Sequence, residues 1–177
     1  MSKINKPLLK SVKTKKIKTT NIKKISTLKS KHYKFSIKEH IKWYKKNIRL
    51  NDIHNMLFFE NKLVGYNCLR KMQNLRGNIS KDIILFDTLI IDPEFRKKGL
   101  SEIIMKKSNY LIKKNKSVGL LFCKRNMFKY YLKFKWQKLK KNQVKTSLIK
   151  KKTLYPMIFN FIKKNKKNIN IEFDIIS

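Results

Sequence analysis

Two periods of apolar residues divide this chain. From Ile83 to Ile91 the apolar positions are nearly continuous: Ile83, Ile84, Leu85, Phe86, Leu89, Ile90 and Ile91. A run this short and this apolar predicts a strand covered on both faces. Asp92-Pro93-Glu94 ends it, because a proline donates no ladder hydrogen bond and has a fixed φ. Beyond the turn, Leu100, Ile103, Ile104 and Leu111 recur at helical spacing, with small Ser108 on the same face, and predict a helix to about Asn115. Val118 to Cys123 is a second apolar strand. The order strand, helix, strand implies a right-handed crossover and parallel pairing.

The same periodicities place the flanking elements. Asn21 is suited to cap a helix carrying Ile22, Ile25 and Leu28. Ser36-Ile37-Lys38-Glu39 fits a capping box, with Ile37, Ile41, Tyr44 and Ile48 on one face of the helix that follows. Trp43 and Tyr44 read as core aromatics of that helix, with the lining of a pocket as the alternative. Ile53 to Phe59, a turn at Glu60-Asn61-Lys62, and Leu63 to about Leu75 predict a hairpin. Gly65 marks a bulge or close packing within it. Leu75 to Lys81 reads as a polar loop. Asn126 to Phe134 predicts a last short helix with Asn126 as N-cap, and Trp136–Leu139 and Val144–Ile149 predict closing strands. At the N-terminus, Leu8, Leu9 and Val12 permit a strand, and a flexible basic arm fits equally well.

Composition bounds the class. At 177 residues, 41% of them hydrophobic, the chain is long enough for one domain with a core. No stretch is long and apolar enough for a membrane helix or a signal peptide, so the expected location is cytoplasmic. Cys68 and Cys123 lack metal-ligand spacing and are expected to be buried, reduced thiols, with no metal site. The net charge is +36, from 46 Lys+Arg against 10 Asp+Glu. Nearly all the cations are lysines spread along the whole chain, while Ile and Asn are abundant and Ala is absent. That pattern fits AT-rich coding better than a nucleic-acid-binding face.

The stretch between central strand and helix, Arg96-Lys97-Lys98-Gly99-Leu100-Ser101, has the make-up of a phosphate site. The first amides of a helix lack intrahelical partners and carry the positive end of the macrodipole. Gly99 permits close backbone approach to an anion. An ordinary strand-to-helix connection in a Lys-rich chain satisfies the same residues.

Arg96-x-x-Gly99-x-Ser101 resembles the R/Q-x-x-G-x-G/A signature of the GCN5-related N-acetyltransferase (GNAT) superfamily. Leu89-x-Ile91-x-Pro93 is similar to that family's L-x-V-x-P on its fourth strand. Phe58 to Tyr66 resembles its second and third strands, and Tyr130 to Trp136 resembles its F-Y-x-K-x-G-F/W segment. The resemblance covers about Asp52 to Leu139. Ser101 and Lys135 depart from it, each standing where the family usually has a small residue or glycine.

The resemblance implies a mixed α+β fold. A central, mostly antiparallel sheet with splayed parallel central strands would be flanked by helices, over residues 15–152. Residues 1–14 would be a basic arm and residues 153–177 an extension packed on the domain. It also implies acetyl-CoA as co-substrate, held by Leu89, Ile90 and Ile91 through the strand backbone and by Arg96, Lys97, Lys98, Gly99, Leu100 and Ser101 at the pyrophosphate, with Asn126 as a further contact. Tyr131 falls at the family's general-acid position, and Asp87 is the candidate base. The expected acceptor is a small primary amine, such as an amino sugar or aminoglycoside, and the chain is expected to be a monomer or homodimer. A protein or ribosomal amine as acceptor, or a non-catalytic RNA- or ribosome-binding protein, is the alternative.

Overall fold

The computed structural model describes residues 6–77, 82–146, 153–161 and 170–174. Among them are nine strands and four α-helices: β1 (Leu8–Lys13), α1 (Thr19–Ser30), α2 (Ile37–Asn47), β2 (Ile53–Phe59), β3 (Lys62–Gly77), β4 (Ile83–Ile91), α3 (Leu100–Lys114), β5 (Val118–Cys123), α4 (Phe128–Leu132), β6 (Gln137–Lys138), β7 (Val144–Lys145), β8 (Tyr155–Phe159) and β9 (Ile171–Asp174). The result is the expected mixed α+β, mostly antiparallel architecture. By internal packing the chain forms two units, Met1–Arg70 with Asp87–Lys107, and Lys71–Phe86 with Ser108–Ser177. Among the described residues no helix is long and apolar enough to cross a membrane.

In the first unit the strand order is β1-β2-β3-β4. β1 pairs antiparallel with β2 from Leu8–Phe58 to Lys13–Ile53. Residues 8–13 are therefore a strand and not part of a free arm; its two lysines, Lys10 and Lys13, are both exposed, as suits an edge strand. The hairpin turns at Glu60 and Asn61, with φ of 47° and 64°, the double left-handed turn that matches strand twist. Gly65 satisfies both readings made of it. The β2–β3 register shifts beside its partner Leu57, and a Cβ at Gly65 would meet the Ile104 and Ile91 methyls at 2.9 Å. α2 begins with the capping box read from sequence: Glu39 N donates to Ser36 Oγ at 3.2 Å and Ser36 N to the Glu39 carboxylate at 2.7 Å. α1 starts two residues before the expected cap. Lys18 holds the N-cap position without a side-chain bond, and Asn21 lies inside the first turn.

In the second unit the order is β3-β4-β5-β8-β6, with β9 pairing β3 and β7. β4 and β5 run parallel, as the crossover required, through the pairs Ile83–Val118, Ile84–Gly119 and Leu85–Leu120. Within residues 153–177, read as an extension packed on the domain, β8 and β9 are sheet strands. β8 pairs with β5 from Gly119–Phe159 to Cys123–Tyr155 and with β6 at Gln137–Ile158 and Lys138–Met157. Burial of Met157, Ile158 and Phe159 explains why this stretch enters the sheet. β3 runs on through Gly77, so Arg76 and Gly77, read as loop, pair with β9, and the register shifts at Leu75. β7 ends at Lys145, and residues 147–149 of the strand expected there lie outside the described residues, as do residues 78–81 of the expected loop.

Two local readings shift. The buried stripe of α3 is Leu100, Ile104, Ser108 and Ile112, with Met105 beside it, whereas Ile103 and Leu111 are only partly buried. Asn126 does not cap α4. It sits within a short 3-10 turn, Arg125–Met127, that leads into the helix. Lys135 has φ of 65°, so the turn before Trp136 uses the backbone conformation that favours glycine and tolerates lysine at some cost. Both cysteines are buried free thiols, and burial pushes the Cys123 pKa up to about 11.

Candidate active site

β4 breaks its own regularity at Thr88, whose φ is 58°. A β-branched residue in the left-handed region costs roughly 1–3 kcal/mol and is held only by its surroundings. Here the holders are visible. Thr88 Oγ1 donates to Asp87 Oδ1 at 3.1 Å, Arg70 Nη1 donates to Asp87 Oδ2 at 3.2 Å, and Asn67 Nδ2 donates to the Asp87 carbonyl at 3.3 Å. Asn67 is itself fixed by Asn55, and Asn55 accepts from Ser11. Arg70 is 3% exposed, with Nη2 on the Asn47 carbonyl at 2.8 Å and Nε 3.9 Å from Asp52. A buried guanidinium between two carboxylates thus braces the strand where Asp87 stands.

The loop after β4 folds back on the strand end. Asp92 accepts from Glu94 N at 3.3 Å and starts a 3-10 turn over Pro93–Phe95. Burial raises the Asp92 pKa, but Lys31, bound at 2.9 Å, and the Glu94 amide outweigh it and bring it below the usual carboxylate value. Arg96 Nε donates to the Ile91 carbonyl at 3.3 Å, and Nη2 meets His32 Nδ1 at 3.1 Å. Lys97 and Gly99 both adopt left-handed φ, 61° and 70°, and α3 begins at Leu100. A Cβ built on Gly99 meets nothing within 4 Å, so the ground before the first turn of the helix is open. Lys97 and Lys98 are exposed, Leu100 is buried and anchors the helix start, and Ser101 is half-buried. Of the expected donor contacts, Leu89, Ile90, Ile91 and Arg96 to Ser101 form one continuous segment of the first unit with Asp87. Leu89 and Ile91 are half-buried and Ile90 is fully buried, so only their backbone is available for polar contact.

Tyr131 and Asn126 belong to the second unit. Tyr131 is buried, edge-on to Phe86 at 6.3 Å and to Trp136 at 6.5 Å, whereas Asn126 is exposed. Trp136 is fixed in turn by its indole N–H, which donates to Asn109 Oδ1 at 3.0 Å.

The first unit also contains a cavity of about 310 Å³ lined by Lys29, Tyr33, Phe35, Glu39, His40, Trp43 and Thr88. The reading of Trp43 and Tyr44 divides here. Tyr44 is core, but Trp43 is 37% exposed, lies on the cavity wall, and has the Lys29 ammonium 4.3 Å and the Arg70 guanidinium 5.5 Å from its ring centre.

The histidines had no role in the sequence reading, because their partners come from other strands and helices. His54 is fully buried. Its Nδ1 meets the Tyr66 hydroxyl at 2.8 Å, and its Nε2 meets Thr14 Oγ1 at 2.9 Å and the Tyr44 hydroxyl at 3.2 Å. Burial lowers its pKa to about 4, so the ring is neutral in the fold. An unfolded chain binds that proton near pH 6.5. This contribution to stability is complete above about pH 6.5 and is lost as pH falls toward 4, by at most about 3 kcal/mol. Denaturant midpoints at pH 7 and pH 4.5, at fixed salt, should therefore differ more for the native chain than for His54→Gln.

No family model and no curated protein matches the sequence. Solved structures do match the fold. A GNAT family N-acetyltransferase from Escherichia coli (YhbS), solved in complex with CoA, is 8% identical over 99% of this chain and 93% of its own, with a TM-score of 0.70. An acyl-CoA N-acyltransferase from Pseudomonas aeruginosa is 11% identical over 86% and 99%, with a TM-score of 0.65. The ribosomal-protein-S18-alanine N-acetyltransferase from Escherichia coli is 11% identical over 89% and 98%, with a TM-score of 0.61. The chain has the fold of the GNAT N-acetyltransferases.

Proposed function

We propose that this protein is an acyl-CoA-dependent N-acyltransferase that moves an acetyl group from acetyl-CoA to a primary amine of a small molecule by direct attack. The observation that carries the reading is the left-handed Gly99 with open ground before the first turn of α3. It lies in the loop whose sequence resembles the family's pyrophosphate signature, within a fold shared with proteins solved with CoA.

The backbone amides from Gly99 to Ser101 and the side chains of Arg96, Lys97 and Lys98 would hold the pyrophosphate, with Asn126 as a further polar contact. When bound, acetyl-CoA supplies the activated acyl group as a thioester. The backbone at Leu89, Ile90 and Ile91 orients the carbonyl and donates to its oxygen as charge develops there. Asp87, fixed by Arg70 and Thr88 but still partly exposed, takes the acceptor's proton through water. The Tyr131 hydroxyl returns a proton to the departing thiolate. A phenol with a pKa near 10 is protonated at neutral pH and well matched to that step. Among the described residues no group of three or more His, Cys, Asp or Glu is placed to hold a metal ion, and no step here is routed through one.

The test is release of free thiol from acetyl-CoA across an amine panel. Amine-dependent release, with the acetyl group recovered on the amine, is expected. Tight RNA binding that survives physiological salt, with no thiol release from any amine or peptide, would replace this reading with the binding-protein alternative.

A further inference from the structure

Resting on that function, we propose that the acceptor is a monoamine carried on an aromatic ring and bound in the cavity between α1 and α2, not a polycationic amino sugar. Four observations favour it. The wall is aromatic, with Tyr33, Phe35 and Trp43 each more than a third exposed on it. Exposed rings grouped around a cavity are where an aromatic ligand gains offset or edge-on contacts beyond its buried area.

The charge on the wall is wrong for a polycation. Lys29 places an ammonium over Trp43. Among the described lining residues the one carboxylate, Glu39, is engaged by the amide and hydroxyl of Ser36. Asp87, the next in sequence to wall residue Thr88, is already bound to Arg70. Each further ammonium on a sugar ring would meet the Lys29 ammonium, with no uncommitted carboxylate among the described lining residues to offset it, and the chain's net charge of +36 opposes its approach.

The volume, about 310 Å³, is at the lower end of small-molecule sites, which run from about 300 to 1,000 Å³. One ring on a short chain fits that space better than several linked sugars.

The fourth observation is His40, a wall residue. His40 is 5% exposed and its ring packs edge-on to Phe35, yet its Nε2 has no hydrogen-bond partner among the described residues. Burial, with Lys29 nearby, lowers the His40 pKa and keeps the ring neutral near pH 7. A neutral imidazole can accept from, or donate to, a hydroxyl on the ligand ring. The wall also includes Thr88, the residue before Leu89. A ligand in this cavity therefore lies beside the strand segment assigned to the carbonyl.

The probes are 2-phenylethylamine, tyramine and kanamycin. Calorimetry with the full chain should show saturable binding of the two aromatic amines, tyramine the tighter, and none of kanamycin. Phe35→Ser, at a position 58% exposed and so dispensable for folding, should weaken both aromatic amines at least tenfold without changing acetyl-CoA affinity. Thiol release should follow the same order. Binding or turnover of kanamycin in preference to the aromatic amines, or aromatic binding indifferent to Phe35→Ser, overturns the inference while leaving acetyl transfer intact. Failure to bind acetyl-CoA at all overturns the function on which it rests.

Discussion

Tyr131→Phe should lower kcat by about 10²- to 10⁴-fold, roughly 3–5 kcal/mol of barrier, with acetyl-CoA affinity nearly unchanged. The substitution keeps what the structure shows the ring doing: burial, and edge contacts with Phe86 and Trp136. It removes only the hydroxyl. A tyrosine that served packing alone would shift the melting temperature and leave turnover per folded molecule intact. Tyr130 is the internal control. Its ring centre is 5.2 Å from both Tyr131 and Phe134, but adjacent helical side chains point about 100° apart. Tyr130→Phe should therefore keep nearly full kcat. A larger loss at Tyr130 would mean the motif is read one residue out of register, and equal activity in both variants would remove the tyrosine mechanism.

What could be read from the sequence, and what could not, follows from the range of each signal. The capping box at Ser36 and Glu39, the turn at Glu60 and Asn61, the apolar strands β4 and β5 and the stop at Pro93 are local, and each appears where the residues put it. Positions that depend on distant partners were not legible. The place of the stretch from Tyr155 to Phe159 could not be read locally, because burial of Met157, Ile158 and Phe159 draws the segment into the sheet beside β5. For β1 the sequence left a strand and a solvated arm equally open, because its pairing with β2 is invisible locally. The buried stripe of α3 turned by a residue because Met105 and Ile112 find cover that periodicity does not specify.

The site divides in the same way. The Arg96–Ser101 loop was legible because its glycine, its cations and its helix start are contiguous. The brace on Asp87 was not, since Arg70, Asn67 and Asn55 come from other strands. Nor was the left-handed Thr88: nothing in a threonine announces that conformation, and hydrogen bonds from elsewhere in the fold impose it. His54 was passed over for the same reason. Its partners Thr14, Tyr44 and Tyr66 lie in three different segments.

The second large effect is expected at Gly99, and it tests the central assignment. Any side chain there must adopt a φ of 70°, which costs an L-residue roughly 1–2 kcal/mol. Because a Cβ meets no protein atom within 4 Å, the chain should still fold. Gly99→Glu directs a carboxylate into the open ground before α3, where the pyrophosphate is proposed to lie, and sets like charge against like charge at the helix start. Gly99→Ala adds the backbone strain and one methyl without the charge, and separates the two causes. The decisive measurement is calorimetric titration of CoA into the native chain and into Gly99→Glu, with thermal melts to confirm that both are folded. The account predicts saturable CoA binding by the native chain and a loss of about 100-fold or more, roughly 3 kcal/mol, in the Glu variant. CoA affinity equal in the two folded proteins, or no binding by either, would contradict it.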